Sequence, residues 1–338
     1  MEPQNPSPSS LWPYATLGAL FLTGFLAVAA WNIEIPYLAY SAGPVSDALG
    51  TVQAEGVEVY TPRGDLLMLT IVSQNVNLFE AVLAGFDPTI DLVREEAVRR
   101  VGESDEEYRS RVLQQMDDSN FRSIVVALRH LGFEMVPIEV VINEFVDGVP
   151  AAEVLNLGDA ILAIDGFAVS SIIEIGPLVQ GRAVGSTLEI TVARDGNELD
   201  LTVELAERTD LPDVAMIGVI LGEITEPPFP LAISAGDVGG PSAGMMHALA
   251  IIDTLTEGDI TKGHVIAGTG TISVDGTVGG IGGVRQKVVA AEAAGASHIL
   301  VPQDNYEAAL TAQRTRIEIV PVATLDDALD FLENLAPA

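Results

Sequence analysis

The sequence predicts an α+β fold made of two globular parts behind one apolar helix. Three stretches carry that expectation. Residues 14–31, YATLGALFLTGFLAVAAW, contain no charged side chain. Residues 138–206 alternate apolar and polar positions in short runs separated by turn signals, the mark of a small β-rich unit. Residues 231–302 combine glycine-rich turns with apolar strand and helix patterns. A chain of 338 residues has room for more than one core.

In chain order, residues 1–10, MEPQNPSPSS, predict a disordered tail. Residues 11–33 predict a transmembrane anchor, with lipid as its partner. Roughly 20 apolar residues in a helix match the bilayer core, and Trp12, Tyr14 and Trp31 sit at interfacial positions. Ala27-Val28-Ala29 also fits a signal-peptide cleavage site, but the preceding region lacks Lys and Arg and the apolar run is long, which favours an uncleaved anchor. Neither flank carries a nearby basic residue, so charge gives no orientation. Pro36 and SAGP at 41–44 mark an extended approach. VEVYTPRGDLLMLTIV (57–72) predicts a hairpin turning at Arg63-Gly64-Asp65, and 91–131 predict helix, stopped at Gly132. Within the β-rich unit, Asp195-Gly196 is the strongest hairpin signal. Residues 211–230 read as a Pro-rich connector into the glycine-rich region.

Composition excludes several function classes. Hydrophobic residues make up 48% and charged residues 19%, which excludes a disordered protein. A net charge of −32 leaves no basic stripe to neutralise phosphates, so nucleic acid is not an expected partner. The absence of cysteine removes disulfides, thiol nucleophiles and Cys-based zinc sites. There is no metal-spaced histidine cluster, and a dinucleotide loop fails at Arg285, so neither metal nor cofactor is expected. No G-x-x-x-x-G-K-[ST] occurs, so these residues hold no Walker-type ATPase.

Gly239-Gly240-Pro241-Ser242-Ala243-Gly244 puts a serine at a strand-to-helix junction. Small neighbours admit a substrate backbone, and N–H groups at a helix start can hold an oxyanion, making the backbone of Gly240, Ser242 and Ala243 the candidate hole. Ser242 could equally be a helix cap. A nucleophile needs a base. His130, His247, His264 and His298 are the histidines. His247 lies five residues along the helix and points away from Ser242, and His264 opens a strand with no carboxylate nearby. Only two of the 16 basic residues are lysine, Lys262 and Lys287. Lys287 opens an Ala-rich helix after GGIGG, where desolvation would depress its pKa towards neutrality, a shift unavailable to Arg.

GGPSAG followed by TGTISVDGTVGGIGGVRQKVVAAEAAGASHILVP resembles the proteolytic domain of Lon proteases over about 230–325. The resemblance implies a Ser–Lys dyad of Ser242 and Lys287, with Ile281-Gly282-Gly283 leading to the lysine, and Thr269 beside the amine. Residues 138–208, through Gly158-Asp159-Ala160-Ile161-Leu162-Ala163-Ile164-Asp165-Gly166, resemble bacterial PDZ domains, which imply capture of protein termini by strand addition. The peptide-docking loop, expected near Phe133–Ile138, departs from the PDZ pattern and contains Pro137. Together with the anchor these parts resemble membrane-anchored, PDZ-containing Lon-like proteins. That resemblance implies a proteolytic domain built from 37–137 and 211–338 and interrupted by the PDZ-like unit. It also implies a catalytic part outside the cytoplasmic membrane and protein or peptide substrates; the missing Walker motif makes the expected hydrolysis ATP-independent, and whether the chain forms a homo-oligomer stays open. The rival expectation is a catalytically idle, membrane-tethered PDZ adaptor.

Overall fold

The computed structural model describes residues 12–234, 236 and 239–338, with the side chains at 12, 13, 15 and 27 outside that description. The expected tail at 1–10 therefore lies outside the described residues, as does residue 11 of the expected anchor. The chain folds as two units: one runs to Leu131 and resumes at Phe229, and the other is Gly132–Pro228.

The first unit begins with α1 (Trp12–Trp31), β1 (Glu34–Asp47), β2 (Val52–Ala54), β3 (Asp65–Asn77), α2 (Leu78–Ala84), β4 (Asp91–Arg94) and the long α3 (Asp105–His130). α1 contains no charged residue and exposes Leu17, Phe21, Phe25 and Leu26. Among the described residues no helix is long and apolar enough to cross a membrane, so the transmembrane span expected over 11–33 is not borne out there. α3 starts at a capping box: the Glu107 N–H donates to Ser104 Oγ, and the Ser104 N–H donates to Glu107 Oε2. Acidic residues fill its first turn and Arg129 and His130 its last, as the helix dipole favours.

The second unit holds β5 (Val136–Phe145), β6 (Ala160–Ile164), β7 (Phe167–Ala168), α4 (Ile172–Val179), β8 (Thr187–Arg194), β9 (Asn197–Glu204), β10 (Ala206–Glu207), β11 (Ala215–Met216) and β12 (Val219–Glu226). Its main sheet runs β12-β5-β6-β8-β9, with β7 paired to β6. Asp195 and Gly196 both adopt positive φ, at 51° and 76°, the geometry a two-residue hairpin loop demands. Val140, Ile142, Ile161, Leu188, Ile190 and Val203 pack into one core.

The first unit resumes with β13 (Leu231–Ile233), α5 (Gly244–Leu255), β14 (Val265–Gly268), β15 (Thr271–Ile272), β16 (Val278–Gly279), α6 (Val284–Ala293), β17 (His298–Pro302), α7 (Tyr306–Leu310), β18 (Glu318–Val322) and α8 (Leu325–Asn334). Its sheet has the order β18-β17-β14-β3-β1-β4. β14 lies parallel to both β3 and β17, which accounts for its short, wholly apolar run Val265–Gly268. α5 is buried from Gly244 to Asp253.

Three expectations need correction. The hairpin over 57–72 does not form: β3 pairs instead with β1 and β14, while Tyr60 stays outside any strand and donates its N–H to the Thr254 carbonyl. The helix expected from 91 begins at Asp105, because residues 91–94 add an edge strand to β1. The β-rich unit does not end near 208: β12 pairs with β5 from Val219↔Phe145 to Glu226↔Val136, so the boundary falls at Pro228.

Candidate active site

Ser242 sits in a 3₁₀ turn, Pro241–Ala243, that runs straight into α5. Gly240 before it has φ +92°, a conformation glycine adopts without strain. α3 holds this turn from behind. Ser119 Oγ donates to the Pro241 carbonyl at 3.1 Å, and Ser123 Oγ to the Gly244 carbonyl at 2.8 Å. A side chain at Gly244 would bring its Cβ within 2.6 Å of Ser119 Oγ and 2.9 Å of Ile272 Cγ2, so only glycine permits this approach. Neither Ser119 nor Ser123 was singled out from the sequence. Both are small polar residues in a helix, and only the fold shows what they face.

Lys287 comes from the first turn of α6, with its N–H donating to the Gly283 carbonyl. Its side chain is 2% exposed. The amine lies 2.7 Å from Ser242 Oγ and 2.9 Å from Thr269 Oγ1. Thr269, fully buried just beyond β14, donates its hydroxyl to the Ser242 carbonyl at 3.0 Å. The Gly270 N–H reaches the same carbonyl at 2.8 Å. The fold thus brings Ser242, Lys287 and Thr269 together from three separate elements. Burial pushes the Lys287 pKa down to about 7 from 10.5, because a charged ammonium loses its hydration there. A neutral amine within hydrogen-bond reach of a hydroxyl can take its proton.

The candidate oxyanion donors divide. The Gly240 N–H donates to the Val112 carbonyl on α3 at 2.8 Å and so is committed elsewhere, which corrects the expectation for that residue. Ser242 and Ala243 stand at the start of the turn, where backbone N–H groups lack earlier partners in the helix. A cavity of about 510 Å³ opens onto Ser242 and Lys287 and is walled by Tyr40, Met68, Tyr108 and Val112.

The histidines are placed elsewhere. His247 is fully buried in α5 with both ring nitrogens unpartnered, and burial drives its pKa down to about 4. His264 Nε2 meets the Ala336 carbonyl at 2.8 Å, and its ring packs edge-on to His298. His130 Nδ1 stands 3.8 Å from Asp326. Among the described residues no group of His, Asp or Glu is arranged to hold a metal ion.

The second unit has its own groove, a cavity of about 750 Å³ lined by Ile175 and Val179 of α4 and by Val219 and Leu221 of β12. Among the described residues β12 is an edge strand, paired on one side only, to β5. Glu223 ties it to the start of α4, accepting from Ser171 Oγ and the Ile172 N–H at 2.6 Å each. Residues 133–138, where the docking loop was expected, do not line this groove; Gly218, which has positive φ, Val219 and Leu221 do. The β-pattern of 211–226 was the available signal.

Residues 233–333 match the Lon protease (S16) C-terminal proteolytic domain, and residues 115–205 match the PDZ domain. The second match starts inside α3 and stops before β12, so the compact unit at Gly132–Pro228 delimits that domain better. Over 94 residues the chain is 39% identical to Lon protease of Campylobacter concisus, covering 27% of this chain and 11% of that protein. It is 39% identical over 93 residues to Lon protease 2 of Bacillus subtilis, covering 28% and 16%. It is 36% identical over 97 residues to archaeal Lon protease of Halobacterium salinarum, covering 28% and 14%. The chain thus spans only 11% to 16% of the length of these relatives. A solved PDZ domain of an SdrC-like protein from Listeria monocytogenes is 30% identical, with 24% of this chain and 85% of that one covered and a TM-score of 0.23.

Proposed function

We propose, for a chain that joins a Lon-type proteolytic domain to a PDZ domain, an ATP-independent serine endopeptidase in which Ser242 is the nucleophile and Lys287 the general base. The observation that carries this reading is the buried Lys287 amine 2.7 Å from Ser242 Oγ. Neutral Lys287 takes the Ser242 proton as Oγ attacks the scissile carbonyl. The N–H groups of Ser242 and Ala243 receive the developing oxyanion. Lys287 then gives its proton to the leaving amine, and an acyl group remains on Ser242. Water, deprotonated by Lys287, attacks that ester and releases the second product. Thr269 holds the amine towards Ser242 while bonding the Ser242 carbonyl.

Without an unfoldase in these residues, the substrates are flexible or unfolded segments. The groove beside β12 supports capture of protein termini as an added strand. The uncharged, outwardly apolar α1 supports a membrane tether. The Lon-like, PDZ-containing resemblance favours an extracytoplasmic catalytic unit, which protease accessibility on intact cells would test. Peptide hydrolysis by Ser242→Ala, Lys287→Ala and Lys287→Arg tests the chemistry. All three are expected to be inactive and folded, and the wild-type rate is expected to be the same with or without ATP and magnesium. Substantial activity in Lys287→Arg would remove Lys287 as the base.

A further inference from the structure

A second apolar surface lies uncovered where α1 meets the proteolytic unit. α1 ends at Trp31 and β1 begins at Glu34, so no flexible linker separates them. The Ile33 carbonyl accepts from the N–H of Leu78, the first residue of α2, at 2.8 Å. The Trp31 ring stands 5.9 Å from that of Phe79. α2 is thereby held against the end of α1. On its outer side Val82, Leu83 and Phe86 are 55%, 54% and 83% exposed. The one acidic residue of α2, Glu80, is turned back into a capping box with Asn77. No Lys or Arg occurs from residue 64 to 93, and the nearby Arg285 guanidinium is taken up by Asp91 and the Pro88 carbonyl, which leaves Asp87 as the charged neighbour of Phe86.

Clustered large apolar side chains beside an uncharged apolar helix fit the boundary between lipid headgroups and acyl chains. We infer that α2 and Phe86 rest in the headgroup boundary of a lipid bilayer and hold the catalytic cavity close to it. The inference rests on the tether reading of α1. Ser73, which lines the cavity, precedes Leu78 by only five residues, so the two lie no more than roughly 18 Å apart. The substrate class this selects is polypeptide that emerges from a membrane-embedded helix. About six extended residues cover that distance.

The chain has no cysteine, so one introduced cysteine carries one spin label. The full chain, reconstituted in phosphatidylcholine vesicles, would be labelled at Phe86→Cys or Val82→Cys, with Phe21→Cys reporting the tether and Glu307→Cys reporting water. Labels at 82 and 86 are expected to be accessible to oxygen and shielded from a water-soluble nickel complex, as at 21. If 21 is lipid-exposed while 82 and 86 match 307, the surface contact is overturned and the tether stands. If 21 also matches 307, the tether reading fails and takes this inference with it. As a second measurement, Val82→Asp with Phe86→Asp should lower cleavage of a vesicle-embedded substrate about tenfold while hydrolysis of a short soluble peptide is unchanged. Equal cleavage of the embedded substrate by this variant and the wild type would overturn the inference.

Discussion

Ser123 Oγ lies 2.8 Å from the carbonyl oxygen of Gly244, two residues beyond Ser242. One α-helical turn earlier, Ser119 Oγ bonds the Pro241 carbonyl, one residue before Ser242. The two hydroxyls on α3 thus bracket the nucleophile turn. Each such bond contributes about 1 kcal/mol. Replacing both serines by alanine is expected to lower kcat roughly tenfold with little change in KM, because the turn loses its orientation and not its pocket. A rise in KM at constant kcat would show that these serines act on substrate binding instead.

The rate should follow the protonation of Lys287. With its pKa near 7, the amine is charged and unable to accept a proton at lower pH, and neutral above. kcat/KM for a short peptide is expected to rise with pH and level off above a midpoint of about 7. A profile flat from pH 5 to 9 would assign the base elsewhere.

The same burial costs stability. The pKa of Lys287 falls from 10.5 unfolded to about 7 folded. Below about pH 7 both states hold the proton, so the full cost of burying an ammonium is present. Between pH 7 and 10.5 the unfolded chain binds more protons, and stability rises with pH. Lys287→Met is therefore expected to be more stable than the wild type by roughly 2–4 kcal/mol at pH 5. That margin should shrink as pH rises from 7 towards 10.5, measured by denaturant unfolding at each pH. A margin independent of pH would mean the amine is not the cause.

Thr269 accepts from Lys287 and donates to the Ser242 carbonyl. Thr269→Val keeps its shape and removes both bonds. Its kcat is expected to fall at least about tenfold and its pH midpoint to shift, while Thr269→Ser retains most activity. A Thr269→Val enzyme with an unchanged pH midpoint would show that the hydroxyl does not orient the amine.

Local sequence was enough for features whose physics is local. The Asp195-Gly196 turn, the glycine stop at 132 and the Ala-rich helix carrying Lys287 each depend on a few neighbouring residues, and the structure has them there. The scarcity of lysine, two of 16 basic residues, singles out Lys287 from the sequence alone. Long-range pairing was not legible. Residues 57–62 carry an alternating strand pattern, yet β3 takes its partners from β1 and β14, because burial on both faces outweighs a nearby turn signal. The limit of the second unit was hidden for the same reason: β12 belongs there only because β5, about 80 residues earlier, offers an open edge. Tertiary structure alone decided that the Gly240 N–H is spent on Val112, and that two serines of α3 hold the turn around Ser242. Those contacts join residues more than 100 positions apart, and their energy exists only after the fold has brought them within 3 Å or so of each other.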